Sequence, residues 1–365
     1  SAISAATSAS YTTPATTNAD NGTYYYCKVG HVAGSVSSRH AKLTVNFLPT
    51  LNGSYPADTT VIVGNTGSFE VKISIHGNPA SYTYQWYKGT SASDAGNAIS
   101  RATSATYTTP VSTKADNGTY YYCKVSNSRG SVTSRHAKLT VYYTPVLNSS
   151  YPADVTVNEG SSASFAVSIS TAGNPASYTY KWYQNGTVIQ NATGSNYSVT
   201  ATKAMNGYKY YCIVSNSAGS VTSRTATLTV RYIPVLNSAY PMDVTVVEGN
   251  SAVFEVRIAS AGNPASYTYK WQWSSNGTSW NDCTDASSGT WNGISGSATA
   301  KVTLGTSGSK IVKGWHGFKV RCIVSNSVGS VTSRTATLST KYKPGLDSKY
   351  PADVTVNVGN TASFK

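Results

Sequence analysis

Between positions 155 and 170 the chain reads "VTVNEGSSASFAVSIS", and within it Phe165, Val167 and Ile169 alternate with small or polar residues. A period of two is what a strand with one buried face requires, so the pattern predicts a half-buried β-strand. "YTYKWYQNG" behaves the same way and stops at an Asn-Gly turn signal. "YKYYCIVSNSAGSVTSRTATLTV" predicts two further strands around the "SNSAGS" turn, with Cys212 and Val214 on one face and then Ala226, Leu228 and Val230. No stretch carries a helical period. About seven short strands per roughly 95 residues, punctuated by Gly, Asn and Pro, describe an all-β antiparallel sandwich.

The pattern repeats. "ADNGTYYYC" occupies 19–27 and returns at 115–123, and its cysteine recurs as Cys27, Cys123, Cys212 and Cys322, at separations of 96, 89 and 110. The tyrosine of the "YP-x-D" marker keeps the same separations at Tyr55, Tyr151, Tyr240 and Tyr350. "NPASYTY" leads into Trp86, Trp182 and Trp271 at the first two of these intervals. Independent markers holding one period define a tandem array of homologous units. Their boundaries fall at 1–45, 46–142, 143–231, 232–341 and 342–365, where the first is the back part of a unit and the last the front part of one.

A Trp-bearing strand, then an Asp- or Asn-Gly turn, a tyrosine and a cysteine, then "VSNSAGSVTS" and "ATLTV", resembles the immunoglobulin superfamily, and within it the tandem immunoglobulin-like domains of bacterial surface proteins. The resemblance covers the whole chain. It implies stacked β-sandwiches on an extracellular, cell-surface protein, with Trp86, Trp182 and Trp271 and the cysteines Cys27, Cys123, Cys212 and Cys322 in the cores. It also implies a tyrosine corner at Tyr25, Tyr121 and Tyr210, each hydroxyl set against the backbone of the preceding turn. The family spacing is one residue shorter than Asp116 to Cys123, so a bulge or longer turn is expected at the corner. Val320 stands where the fourth unit would need the tyrosine.

Sulfur departs further from the family. The partner cysteine expected on strand B is replaced by Val and Ile in "SFEVKISI" and "SFAVSIS", so the inter-sheet disulfide is missing and the strand-F cysteine reads as a small buried apolar residue. Cys283, in the long insertion of the fourth unit, either pairs with Cys322 or stays a free thiol.

The net charge of +14 reflects only 14 acidic residues against 28 basic ones. Such a balance favours solubility and weak attraction to polyanions such as anionic cell-wall polymers, with no motif for specific nucleic-acid binding. Arg39, Arg135, Arg224 and Arg334 occupy one equivalent position and mark either a solvated basic edge or a polyanion-binding stripe. No apolar run is long enough for a membrane helix.

Chemistry is sparse. His40 and His136 are equivalent, but Thr225 and Thr335 replace them later, so no repeated metal site is expected and no cofactor is implied. Asp58, Asp154, Asp243 and Asp353 recur at the junctions with too few neighbouring acids for calcium and read as turn residues. A Lys-Asn isopeptide is not supported, since Lys72 corresponds to Ser168 and Arg257. No paired carboxylates suggest an enzyme. The fourth unit holds five of the seven tryptophans. Trp280 and Trp291 are its candidate ligand contacts, against packing of core and hairpin.

Each junction, such as "LTVYYTPVLNSSYPAD", carries two prolines, several aromatics and no Gly-Ser run, which predicts a stiff connection. Joining the two ends by strand exchange would omit the equivalent of 71–96, including the Trp-bearing strand, so the sequence reads as a window on a longer array. Its expected partners are further domains of the same kind. Two functions stay open: a structural stalk, spacer or surface filament, and an adhesin or glycan-binding module, cell-surface or phage-borne, headed by 232–341.

Overall fold

The computed structural model describes residues 1–285, 293–306, 309–345 and 348–364. Three hydrophobic cores lie along the chain, over 69–141, 163–230 and 252–338. The middle domain shows how the pattern builds one of them. Its strands are β1 (Val146–Leu147), β2 (Val155–Asn158), β3 (Ser162–Ala166), β4 (Ile169–Thr171), β5 (Thr179–Gln184), β6 (Thr187–Val188), β7 (Asn196–Thr200), β8 (Lys209–Asn216), β9 (Gly219–Thr222) and β10 (Ala226–Arg231). One six-stranded sheet runs β2-β10-β8-β5-β6, with β9 on β8, and faces the pairs β1-β4 and β3-β7.

Along β8, Tyr210, Cys212 and Val214 are buried, and along β10, Ala226, Leu228 and Val230. They meet Phe165 on the opposite layer, with Tyr210 stacked on it at 4.4 Å between ring centroids. Trp182 sits opposite Cys212 in the β5–β8 register, is fully buried, and donates from Nε1 to Gly194 O at 3.0 Å. Trp86 and Trp271 repeat this burial and donate to Ser104 O and Thr299 O. At about 25 cal/mol per Å2, the 150–250 Å2 that a large aromatic removes from water contributes roughly 4–6 kcal/mol per site.

The sandwich departs from a purely antiparallel one. β2 pairs parallel with β10, Val155 opposite Leu228. The last strand is broken in two, because Ser223 takes over the ladder: its Oγ accepts from Cys212 N at 2.9 Å and donates to Arg224 O at 2.8 Å. A 3-10 turn precedes the corner, as at Lys114–Asp116, where the Asp116 carboxylate accepts from both Thr113 N and Oγ1.

Several expectations are corrected. No tyrosine corner forms in the anticipated way: the Tyr210 hydroxyl donates to the Gln184 side chain at 3.3 Å, while the Tyr121 ring stacks on Phe69 at 4.7 Å. Cys27 is exposed and Tyr25 only half-buried, since 1–45 holds one layer of a sandwich without the strands that cover it. Cys283 and Cys322 are both buried and free. Cys322 lies opposite Trp271 on one side of its strand, while Cys283 N bonds Trp271 O from the other side. Two strand spacings, about 9.5 Å, separate their backbones, beyond the roughly 7 Å a disulfide spans.

Burial pushes the thiols of Cys123 and Cys212 up to about 11 and those of Cys283 and Cys322 up to about 12. A buried protonated thiol is inert. Mild alkylation of the folded chain should therefore modify Cys27 alone, and all five cysteines after denaturation, as read by intact mass. Rapid labelling of Cys123 or Cys212 in the native state would mean that these strands are not where the register puts them.

Candidate functional site at the domain junctions

The features that recur most faithfully lie where one domain meets the next. The last strand of domain 46–142, Ala137–Tyr142, continues into the segment leading to β1 of the following domain. There Tyr143 and Asn174 pair through their backbones, at 2.8 and 2.9 Å. Asn174 then reaches back across the boundary: its Nδ2 donates to Val141 O at 2.7 Å and to Asn117 Oδ1 at 3.3 Å. Asn117 Oδ1 in turn accepts from Val141 N at 2.9 Å. Asn216, from the hairpin between β8 and β9, donates to Tyr143 O at 2.8 Å and to Pro175 O at 3.0 Å. Lys114 lies over the Tyr143 ring, 5.0 Å from its centroid.

Three asparagines, one from each side of the boundary and one from the hairpin, thus satisfy backbone groups that a connecting segment would otherwise leave to water. Gly173 makes the approach possible, because a Cβ there would lie 2.7 Å from Tyr143 O and 2.7 Å from Pro145 N.

The same clamp stands at the junctions 45/46 and 231/232. Asn78 donates to Val45 O at 2.8 Å and Asn21 Oδ1 at 3.3 Å, and Asn127 to Phe47 O at 2.9 Å. Asn263 donates to Val230 O at 2.6 Å and Asn206 Oδ1 at 3.4 Å, and Asn326 to Tyr232 O at 2.8 Å. Lys203 lies over Tyr232 and also bonds Ser260 Oγ across that boundary at 3.0 Å. In domain 232–341, His316 takes the place of Asn117, and its Nδ1 accepts from Thr340 N at 3.0 Å.

Sequence reasoning located stiffness at the junctions but attributed it to proline and aromatics; it missed the asparagines, whose signal was their recurrence inside "NPASYTY", "SNS" and "NG".

Three of the four arginines of the basic edge find partners within their own domains. Arg135 donates to Pro56 O at 2.6 Å and to the Asp58 carboxylate at 3.0 Å. Arg224 and Arg334 do the same with Pro152 and Asp154, and with Pro241 and Asp243. Each of these three guanidinium groups is thus ion-paired, and Asp58, Asp154 and Asp243 each also accept from a backbone N–H, that of Lys138, Thr227 and Thr337. Arg39 belongs to 1–45, which has no such aspartate.

Trp280 is half-buried beneath Arg321, whose guanidinium lies 3.9 Å from the ring centroid. Trp291 lies outside the described residues. Trp273 stacks on Phe318 and packs with Trp315 against the domain core. Among the described residues, no group of three or more His, Cys, Asp or Glu is placed to hold a metal ion, and no helix is long and apolar enough to cross a membrane.

Residues 49–141 and 144–230 match the immunoglobulin domain family. The chain is 30% identical over 192 residues to Endoglucanase C of Cellulomonas fimi, covering 52% of this chain and 15% of that protein. It is 24% identical over 257 residues to the B-cell receptor CD22 of Mus musculus, covering 69% of this chain and 29% of that one. The chain therefore spans less than a third of the length of either relative. Among solved structures, a three-domain immunoglobulin segment of titin, in a mutated variant, superposes with a TM-score of 0.54 at 20% identity, over 80% of this chain and 98% of that one. The fold is a tandem array of immunoglobulin-like β-sandwiches.

Proposed function

We propose that this segment is a structural, non-catalytic array from a bacterial extracellular protein, and that it serves as a stalk, spacer or surface filament. The observation that carries the reading is the asparagine clamp, built alike at three successive boundaries. A hydrogen-bonded seam repeated at three successive joints holds neighbouring domains at one angle, which a spacer needs and a set of independently acting domains does not. Hydrogen bonds of this kind contribute about 0.5–1.5 kcal/mol each, so several per joint suppress bending. The ion-paired arginines and the close likeness of domains 46–142 and 143–231 agree with a role in spacing. The bacterial, cell-surface setting rests on the sequence resemblance, with the Cellulomonas fimi relative in support. The alternative, an adhesin headed by 232–341, is favoured by that domain's divergence from its neighbours, but Arg321 covers the face of Trp280 that a ligand would use.

Small-angle scattering on the 365-residue chain tests the proposal. Strands of about ten residues at about 3.3 Å each, plus turns, add roughly 35–45 Å per full domain if the domains lie in line. Replacing Asn78, Asn174 and Asn263 by Ala should shorten the maximum dimension and broaden the distance distribution, with each domain still folded. A compact or freely jointed wild-type particle would refute the spacer reading.

A further inference from the structure

The outer face of the large sheet is left without a role by the spacer reading, and its charges are unbalanced. In domain 143–231, Tyr183 on β5 stands opposite Tyr211 on β8, with their rings stacked at 4.8 Å. Alternation puts Lys181 on the same face two residues before Tyr183, and Lys209 on the same face two residues before Tyr211. Because the strands are antiparallel, the two lysines fall on opposite sides of the tyrosine pair, separated along the strands by four residues, or about 13 Å.

Domain 46–142 repeats the layout with different residues. Tyr87 and Tyr122 form the stack at 4.9 Å, extended by His136 at 4.2 Å. Lys124, opposite Gln85, supplies the cation at one end. Lys138, opposite Tyr120 on the neighbouring strand, supplies it at the other. The lysines have moved to other strands, yet the order of cation, ring pair, cation along the face is kept. In 1–45, Tyr26 and His40 stack at 4.5 Å, and Lys28 and Lys42 hold the positions equivalent to Lys124 and Lys138.

Lys124, Lys138, Lys181 and Lys209 are exposed, and among the described residues none lies within ion-pair distance of a carboxylate. Arg135, Arg224 and Arg334, and likewise Lys72 and Arg257, in contrast have acidic partners.

We propose that this outer sheet face, in 46–142 and again in 143–231, binds a carboxylated polysaccharide, its lysines holding carboxylates and the half-buried rings between them, Tyr183 and Tyr211 in one domain and Tyr87 over the buried Tyr122 in the other, packing against the intervening sugar rings. Uncompensated cations call for an anionic partner, and their spacing selects which one. Double-stranded nucleic acid carries a phosphate about every 1.7 Å of its axis and is bound through dense phosphate contacts. Two lysines about 13 Å apart fit a polymer with charges well separated by neutral rings. Tyrosine adds ring surface together with a hydroxyl, the combination that suits a sugar. In domain 232–341 the ring pair is replaced by Gln272 and Arg321, hydrogen-bonded to each other at 2.9 Å, and Lys270 is paired with Asp282. That face is excluded from the proposal.

The test uses the full chain in affinity electrophoresis through gels containing hyaluronan, which carries one carboxylate on every second sugar, with neutral dextran and a DNA duplex in parallel. Hyaluronan should retard the wild type, and retardation should weaken with salt. The variant K124A/K138A/K181A/K209A should lose at least tenfold in affinity. K72A/R101A/R129A/K301A, which removes the same formal charge away from the face, should lose less than twofold. The fourfold Lys→Arg variant at the proposed sites should keep binding. No retardation of the wild type, equal losses in the two Ala variants, or tighter binding to DNA through the same lysines would each overturn the proposal. Scattering on the face variant should give the wild-type length, so failure of binding leaves the spacer reading standing, and a collapsed particle would count against that reading alone.

Discussion

Replacing Trp182 by Ala should destabilise domain 143–231 by about 3–5 kcal/mol, the range for a fully buried large aromatic. The indole is completely enclosed. It lies between the strand that carries Cys212 and the Tyr197 ring, whose centroid is 6.1 Å away. Truncation leaves a cavity at the centre of the sandwich and strips Gly194 O of the Nε1–H that it accepts. Since small domains are stable by about 5–15 kcal/mol, the loss takes a large share of the total. Calorimetry of the full chain should show one unfolding transition displaced downward while the transitions of the neighbouring domains stay in place. Trp280→Ala is the counterpart, since it removes a half-buried ring and a cation–π contact of about 0.5–1 kcal/mol. A loss below about 1 kcal/mol for Trp182, within the range of ordinary surface changes, would place it at the periphery and make the β5–β8 register wrong.

The sandwiches were legible because their signals are local and periodic. Phe165 or Cys212 declares its face through its immediate neighbours, and the markers at Cys27, Cys123, Cys212 and Cys322 repeat that declaration. The junction clamp has no such signature. Asn174 meets partners 33 and 57 residues away, and Asn216 one 73 residues away, so each asparagine reads alone as a turn residue. Arg224 and Asp154 were both visible as recurring positions, yet 70 residues separate them and nothing in the spacing says that they meet. For that reason the arginines read as a charged edge, while the lysines beside the tyrosine stacks drew no notice. Those lysines are scattered over different strands in successive domains and share a place only after the strands pair.

Gly173→Ala should disrupt the junction between 46–142 and 143–231 and cost about 1–3 kcal/mol, the usual range for overpacking a close contact. The strain is steric and not conformational, because Gly173 is not among the glycines with positive φ. Its added methyl would meet Tyr143 O, Pro145 N and Asn216 Nδ2, all at 2.7 Å. Two of these belong to the connecting segment and the third to the side chain that holds it. The segment must lift away, which breaks the backbone pair between Tyr143 and Asn174 and frees residues 142–147. Limited proteolysis should then cut within 142–147 much faster than in the wild type, and scattering should report a bend at one joint. Gly53→Ala is the control, since no atom lies within 4 Å of its Cβ position. Equal protease resistance in the two variants would show that the segment does not lie against Gly173, and the clamp would lose its footing. Gly77 and Gly262 face the same backbone at their own junctions, at 2.6 Å from Phe47 O and 2.8 Å from Tyr232 O. If the clamp is one device used three times, alanine at either position should open its own joint and leave the other two closed.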